Sequence, residues 1–163
     1  MLDTTDRLEG TKTEIYEELA RQLGGLFYGE RDATANAANM AALIGRGLPD
    51  LNWAGFYIMR GDELVLGPFW GKPACVRIEL GKGVCGTAAV YKESIIVTDV
   101  HEFPGHIVCD AASQSELVVP IIRNGVVIGV LDLDSPSLAR FDAEDQAACE
   151  NLVRLFVAAS EPF

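Results

Sequence analysis

Residues 116–135 read ELVVPIIRNGVVIGVLDLDS and carry the strongest local structural signal in the chain. Two runs rich in β-branched residues flank the dipeptide Asn124-Gly125, and this dipeptide is typical of two-residue hairpin turns. Pro120 has no backbone N–H, so it predicts an edge position or a bulge within the first run. The stretch therefore predicts a β-hairpin.

Periodicity on either side of the hairpin predicts the remaining elements. Helical patterns occupy residues 11–23, 32–44 and 142–160, with Gly24-Gly25 as the predicted stop of the first helix. A shorter helical pattern lies within GKGVCGTAAVYK, and the runs LNWAGFYIM, LVLGPFW, CVRIEL and SIIVTDV are strand-like. Residues 101–113 have little periodicity and predict a long loop. This order predicts an α+β fold, with helices packed on a mostly antiparallel sheet.

The composition restricts the class of protein. The chain has 163 residues, which fits one domain, and a formal net charge of −11 with 13 basic residues that form no run. Nucleic acids and anionic membranes are therefore not expected partners, because both need clustered Lys and Arg. No segment reaches the ~20 apolar residues of a membrane span, and the polar N-terminus does not resemble a signal peptide. We expect a cytoplasmic protein.

The chain has four cysteines: Cys75, Cys85, Cys109 and Cys149. In a reducing compartment such residues are buried, metal-bound or reactive rather than structural disulfides. No CxxC pair occurs and the two histidines lack finger spacing, so neither a metal nor another cofactor is expected. Cys109 lies in the polar loop and is the candidate reactive thiol. Burial as a small apolar residue suits Cys149, and for Cys85 both interpretations stay open.

Three carboxylates occur in the predicted hairpin. Glu116 opens the first strand, and alternation places Asp132 and Asp134 on one face of the second. If the three converge near the loop, they cannot all ionise cheaply, and one should keep its proton near neutral pH. The alternative is that Asp132 and Asp134 form a solvated strand face, which is common in antiparallel sheets. In the strand LNWAGFYIM, Trp53 and Tyr57 share one face, where an aromatic pair is usually core.

The ordered motifs resemble a GAF domain. GKGVCGTAAVYKESIIVTDV is similar to the middle of that family's pattern, and VPIIRNGVVIGVLDLDS followed by FDAEDQAACENLV is similar to its end. The resemblance covers about residues 15–160, so we expect residues 1–163 to form a single GAF domain. It implies a six-stranded antiparallel sheet flanked by helices, with a ligand pocket under a long loop.

Four motifs narrow the resemblance to the free methionine-R-sulfoxide reductases: LNWAGFY, PACVRIELGKGVCG, HIVCDAASQSELVVPI and GVLDLDSP. That family implies reduction of free L-methionine-R-sulfoxide to methionine, with Cys109 as the nucleophile that becomes a sulfenic acid. Cys75 would be the main resolving cysteine, and Cys85 a second resolving or relay cysteine. The resemblance also implies recycling by thioredoxin and a homodimer.

The same resemblance assigns the remaining site residues. Glu116, Asp132 and Asp134 match the family's substrate-activating and substrate-binding acids. Trp53 would lie against the substrate's S-methyl group, with Tyr57 in the same pocket. Carboxylates near Cys109 would raise the pKa of its thiol, and the loop contains no Lys or Arg to lower it. The thiol then either transfers its proton during attack or meets a positive group from elsewhere, such as the substrate ammonium or His106.

Two other functions fit the fold. A GAF sensor that binds a cyclic nucleotide or a small metabolite explains the pocket but gives the cysteines no role, and an acidic pocket disfavours a phosphate ligand. A redox sensor would use the same cysteines for a regulatory disulfide. Turnover of a small sulfoxide distinguishes an enzyme from both.

Overall fold

Residues 7–163 are described by the computed structural model, and within them six strands form one antiparallel sheet in the order β3-β2-β1-β6-β5-β4. The strands are β1 (Trp53–Arg60), β2 (Glu63–Gly71), β3 (Arg77–Glu79), β4 (Ile95–Val97), β5 (Ser115–Arg123) and β6 (Val126–Ser135). The helices are α1 (Lys12–Phe27), α2 (Ala33–Gly47), α3 (Gly83–Tyr91) and α4 (Ala143–Ala159). The predicted α+β fold is confirmed. The sequence-based predictions for residues 1–6 lie outside the described residues.

The predicted hairpin is formed by β5 and β6. Asn124 and Gly125 connect the strands with φ values of 51° and 78°, as a tight turn between twisted strands requires. The edge position predicted from Pro120 is wrong for β5 as a whole, because β5 lies between β4 and β6. The pairing of β4 ends at Val118, however, so Pro120 lies beyond it and its missing N–H costs no bond to that strand. A register shift follows between residues 121 and 122, close to the predicted bulge.

The predicted end of α1 at Gly24-Gly25 is wrong. The helix continues to Phe27, because Leu23 and Phe27 lie four residues apart on one stripe and both are buried in the core. Burial of the Phe27 ring outweighs the cost of about 1 kcal/mol for each helical glycine. The predicted cap of α2 is confirmed, since the Asp32 side chain accepts a hydrogen bond from the backbone N–H of Ala35.

The sheet separates two hydrophobic clusters. Helices α1, α2 and α4 cover one face, where Phe56, Leu131 and Leu133 are buried. The other face contains Trp53 and Tyr57 and is covered by α3 and by the loop of residues 98–114. The alternation predicted in β1 and β6 is therefore confirmed. No helix among the described residues is both long and apolar enough to cross a membrane.

A buried carboxylate ties α1 to α4 on the larger face. Asp145 is fully buried and accepts hydrogen bonds from Lys12 Nζ at 2.7 Å, Tyr16 OH at 2.7 Å and Arg140 Nη1 at 3.2 Å. It also accepts from the backbone N–H of Asp142, which completes a capping box at the start of α4. The buried charge of Asp145 is therefore compensated by the cations and the hydroxyl group around it.

Candidate active site

Strand register places the candidate site residues in two adjacent rows across the sheet. Trp53 on β1 lies opposite Asp134 on β6, which in turn lies opposite Glu116 on β5. In the next row Gly55 lies opposite Asp132. Directly opposed residues in antiparallel strands point their side chains to the same face. The three carboxyl groups and the indole therefore converge on the face covered by α3 and the long loop.

The carboxyl cluster is covered rather than solvated. Glu116 and Asp132 are each only 6% exposed, and Asp134 is partly buried. The solvated strand face considered from the sequence is therefore wrong for Asp132. Cys85 on α3 contributes to this cover, because its Sγ lies 4.0 Å from Glu116 Oε1.

Burial and mutual repulsion favour the protonated forms of these acids. Burial raises the pKa of Glu116 well above its ordinary value, and the neighbouring Asp134 raises it further. Burial followed by the charge of Glu116 raises the pKa of Asp132, and burial followed by the charge of Asp132 raises that of Asp134. All three carboxyl groups therefore shift toward their protonated forms, the direction that their predicted convergence implied.

One oxygen of the carboxyl cluster lacks a hydrogen-bond donor among the described residues. Asp132 Oδ1 is buried and accepts no hydrogen bond from the described residues. Such an atom costs free energy unless something binds to it. Asp132 lines a cavity of about 40 Å³, which is large enough for a small polar group.

The aromatic pair forms one wall of this cavity and fixes a segment near the cysteines. The Trp53 ring stacks on Tyr57 with centroids 5.9 Å apart and on Phe69 at 5.4 Å. Gly55 makes room for the indole, because a Cβ there would lie 2.6 Å from it. Trp53 Nε1 donates to the carbonyl of Lys72 at 3.1 Å, and Tyr57 OH donates to the carbonyl of Cys75 at 2.9 Å.

Cys75 and Cys109 form a disulfide with a Cα–Cα distance of 5.4 Å across 34 residues of sequence. The long loop therefore folds over the segment that precedes β3, as the predicted pairing requires. Asn52 fastens this loop, because its Nδ2 donates to Asp110 Oδ2 and to Ser113 Oγ, each at 3.1 Å. Both cysteines are half-buried, and Cys109 lines the cavity.

The two other cysteines lie on opposite faces of the sheet. Cys85 is a free, buried thiol against the carboxyl cluster, and burial followed by the charge of Asp132 raises its pKa well above the ordinary value. Cys149 is fully buried in the larger cluster with its Sγ 3.8 Å from Tyr16 OH, and burial raises its pKa to about 12. The predicted burial of Cys149 is confirmed. Cys85 is buried as well, but beside ionisable groups.

His106, considered from the sequence as a positive group for Cys109, contacts Glu116 instead. Its Nε2 lies 3.4 Å from Glu116 Oε2, and its side chain is only 13% exposed. Burial lowers the pKa of His106, so the imidazole is neutral at pH 7. In this structure it therefore does not supply the positive charge that was considered for Cys109.

Sequence reasoning also missed Asn52, Asp110, Ser113 and the start of α3. The aspartate at position 110 was a sequence signal for a turn in the loop, because Asp side chains often bond to the backbone two residues further on. In the structure Asp110 Oδ1 accepts a hydrogen bond from the Ala112 N–H. Ser113 donates to Asp134 and thereby opposes the rise in its pKa. Lys82 and the first turn of α3 line the same cavity, and the N-cap residue Lys82 makes no side-chain capping bond. Cys109 lines this cavity as well.

Comparison with known proteins agrees with this geometry. Residues 13–159 match the GAF domain family. A relative from Escherichia coli strain K12, named free methionine-R-sulfoxide reductase, is 51% identical over 142 residues, which are 87% of this chain and 86% of that protein. The chain belongs to the free methionine-R-sulfoxide reductase family of GAF-domain proteins.

Other members of the free methionine-R-sulfoxide reductase family extend the match. The Saccharomyces cerevisiae protein of that name is 46% identical over 152 residues, covering 88% of this chain and 84% of its own. An X-ray structure of the free methionine-R-sulfoxide reductase from Neisseria meningitidis in complex with its substrate has a TM-score of 0.92 and 38% identity, covering 97% of this chain and 95% of that one. The family resemblance and the GAF fold predicted from the sequence are confirmed.

The structure brings together every residue that resemblance to the free methionine-R-sulfoxide reductases assigned to the site. Seven of them line one cavity: Trp53, Tyr57, Cys85, Cys109, Glu116, Asp132 and Asp134. Cys75 is bonded to Cys109 at its edge. The role of each residue stays a prediction. A pair of cysteines, a group of acids with raised pKa values and an aromatic wall around one small cavity are suited to reducing a polar sulfur compound.

Proposed function

We propose that this chain reduces free L-methionine-R-sulfoxide to methionine. The observation that carries the proposal is the Cys75–Cys109 disulfide at the edge of a cavity that also contains three carboxyl groups with raised pKa values. Such a disulfide is the product that thiol-dependent sulfoxide reduction leaves in the protein. The names of the Escherichia coli and Saccharomyces cerevisiae relatives support the same reaction.

The cavity is complementary to a free amino acid. The buried, unpartnered Oδ1 of Asp132 and the nearby Asp134 can accept hydrogen bonds from the substrate ammonium. The positive N-terminus of α3 can bind the substrate carboxylate. Trp53 and Tyr57 supply an apolar wall for the S-methyl group. A peptide-bound substrate lacks the free ammonium and carboxylate and would leave these groups unpaired, which favours the free amino acid.

The proposed first step transfers oxygen from the substrate to Cys109. The Cys109 thiolate attacks the sulfoxide sulfur and forms a transient sulfur–sulfur bond. The protonated oxygen then bonds to the Cys109 sulfur as the substrate sulfur–oxygen bond and the sulfur–sulfur bond break, so methionine leaves and Cys109 becomes a sulfenic acid. Protonated Glu116 hydrogen-bonds the sulfoxide oxygen and then donates its proton to it, because the developing negative charge needs a nearby acid. Lys82 at the α3 N-terminus and the substrate ammonium favour the thiolate of Cys109 electrostatically.

The second step converts the sulfenic acid to a disulfide and water. The Cys75 thiol attacks the sulfur of the sulfenic acid, a disulfide forms, and the oxygen leaves as water. The hydrogen bond from Tyr57 OH to the carbonyl of Cys75 keeps this residue near Cys109, which favours attack. An external dithiol then reduces the disulfide, so the whole cycle consumes two electrons and two protons.

Cys85 is proposed as a second resolving or relay cysteine. It is a free thiol in the disulfide form and lines the same cavity as Cys109. A relay role predicts that Cys85→Ser leaves single-turnover methionine formation intact but slows reduction of the disulfide by thioredoxin. Equal rates of disulfide reduction in the variant and the parent would contradict this role.

The proposal also covers the reductant, the compartment and the oligomeric state. Thioredoxin is the proposed reductant, and a cytoplasmic homodimer of single-domain chains, each spanning residues 1–163, is the proposed form. Sedimentation of the purified protein tests the dimer, and methionine release coupled to consumption of reduced thioredoxin tests the reductant. A monomer at all concentrations would contradict the proposed dimer. Methionine release without consumption of reduced thioredoxin would contradict the proposed reductant.

A single turnover without added reductant tests the proposed reaction. Fully reduced protein is mixed with free L-methionine-R-sulfoxide, and methionine formed and thiols lost are counted per chain. We expect one methionine and two thiols lost, no methionine with Cys109→Ser, and an unchanged result with the control Cys149→Ala. Absence of methionine with all thiols intact would refute the reductase and favour a ligand-binding sensor. Peroxide oxidation of the same thiols without sulfoxide turnover would favour the redox sensor.

A further inference from the structure

The proposed reaction leaves one property of the cavity unused, which is its capacity to bind a metal ion. Cys85, Glu116 and Asp132 each offer one ligand atom, and these atoms all lie within 4.8 Å of one another. All three residues are buried, so the group differs from the exposed acidic clusters that are common on protein surfaces. Neither Cys75 nor Cys109 belongs to this group.

The spacing is close to that of a tetrahedral zinc site. Zn²⁺ binds sulfur at about 2.3 Å and carboxylate oxygen at about 2.0–2.2 Å, so sulfur and oxygen ligands of one ion lie roughly 3.6 Å apart. Cys85 Sγ and Glu116 Oε1 are 4.0 Å apart, and a movement of a few tenths of an ångström brings them to that spacing. His106 Nε2 lies 3.4 Å from Glu116 Oε2, and a movement of its ring toward Cys85 and Asp132 would make it the fourth ligand.

A second observation independent of this clustering points to a bound cation. Asp132 is 6% exposed, and its Oδ1 accepts no hydrogen bond within residues 7–163. Asp132 lines the same cavity as Cys85, Glu116 and His106, and this cavity of about 40 Å³ has room for one ion. An ion there would satisfy the unpaired oxygen, and the Cys85 thiolate with the two carboxylates would more than balance its two positive charges.

We propose that the disulfide form of the protein binds one Zn²⁺-class ion in this cavity through Cys85, Glu116 and Asp132, with His106 as the fourth ligand. Binding forms metal–ligand bonds and releases to solvent the Cys85 proton and each proton held by Glu116 and Asp132, with no change in oxidation state. A mixed sulfur, nitrogen and oxygen ligand set favours Zn²⁺ and Co²⁺ over Mg²⁺ and Ca²⁺, which prefer oxygen ligands in larger numbers. The proposal concerns binding and does not depend on sulfoxide turnover.

The disulfide form makes the test selective, because Cys85 and Cys149 are its free cysteines. The oxidised protein, checked to have two reactive thiols after denaturation, is titrated with Co²⁺ and followed by absorption. We expect one Co²⁺ per chain with a thiolate-to-cobalt charge-transfer band and the visible bands of tetrahedral Co²⁺, all removed by one equivalent of Zn²⁺. Added Mg²⁺ at the same concentration should leave the bands unchanged.

Variants identify the ligands. Cys85→Ser should abolish the charge-transfer band, whereas the control Cys149→Ala should keep it at full intensity. Asp132→Asn retains the thiol and should weaken Co²⁺ binding by at least about tenfold, a loss that even ligand-supporting residues produce. Circular dichroism establishes that each variant is folded. A titration of the parent without the charge-transfer band, a band that persists in Cys85→Ser, or equal Co²⁺ affinity of Asp132→Asn and the parent would each overturn the proposal.

Discussion

Replacement of Glu116 by glutamine separates proton donation from the other properties of the site. Glutamine has nearly the same shape and still donates a hydrogen bond to the sulfoxide oxygen, but it cannot transfer a proton. The glutamine side chain fits in the place of Glu116. There Glu116 Oε1 lies 4.0 Å from Cys85 Sγ, and Glu116 Oε2 lies 3.4 Å from His106 Nε2. The change therefore tests the assignment of Glu116 as the acid.

The expected loss follows from the contribution of general acids. Such catalysis is worth about 10²–10⁴-fold in rate. At 1.36 kcal/mol for each tenfold change, the barrier to methionine formation should rise by about 2.7–5.4 kcal/mol. The full range applies because His106 is neutral and the remaining acids, Asp132 and Asp134, are proposed to bind the ammonium. Single-turnover methionine formation at saturating substrate measures this loss.

The pH dependence gives the same prediction a second test. The pKa of Glu116 is raised, so the parent rate should fall as pH rises through that raised value and the acid is lost. Glu116→Gln should lack this decline. For folding, a carboxyl whose pKa is higher in the folded than in the unfolded protein stabilises below the unfolded pKa, and this contribution is lost as pH rises through the folded pKa. The variant should therefore gain resistance to urea relative to the parent at alkaline pH.

The control for Glu116→Gln is the same chemical change elsewhere. Glu150 on α4 binds Ser94 and Gln146 outside the cavity, so Glu150→Gln should leave the single-turnover rate and its pH profile unchanged. If Glu116→Gln forms methionine at the parent rate at every pH, the proton comes from another group and the assignment is wrong.

Two further predictions concern the resolving cysteine and the scaffold. Cys75→Ser should still release one methionine per chain but lose one thiol rather than two, leaving a sulfenic acid that dimedone labels on Cys109; loss of two thiols would instead assign resolution to Cys85. Asp145→Ala leaves the charges of Lys12 and Arg140 without this buried partner, so it should lower the free energy of unfolding by about 3–5 kcal/mol and the Tm by roughly 6–20 °C in a thermal scan. A decrease of less than about 1 kcal/mol, the worth of an exposed ion pair, would show that this cluster contributes little to stability.

The elements of the fold could be predicted where local chemistry decides them. Asn124-Gly125 fixes the hairpin because both residues tolerate positive φ, and alternation in β1 and β6 assigns each side chain to a face. The end of α1 could not be predicted from Gly24-Gly25. The helix continues because Phe27 finds a place in the core against Phe156, with ring centroids 6.3 Å apart, and this contact depends on distant sequence.

Prediction of the site was limited for a similar reason. Alternation shows that Asp132 and Asp134 share a face, but the cover over that face comes from α3 and the loop of residues 98–114. The burial of His106 depends on the same packing, so a histidine in a polar loop gave no sign of its contact with Glu116. The pairing of Cys75 with Cys109 came from the family resemblance and not from spacing, since four cysteines allow several pairings.

The Cys75–Cys109 cross-link also has a thermal consequence. It closes 34 residues of chain, and by the entropy of loop closure such a link stabilises a fold by roughly 3–4 kcal/mol. The dithiol form lacks this contribution and must rely on the larger hydrophobic cluster and the Asp145 contacts, which lie across the sheet and include neither cysteine. The melting temperature of the protein therefore becomes a gauge of its own oxidation, higher in oxidising surroundings and lower in reducing ones.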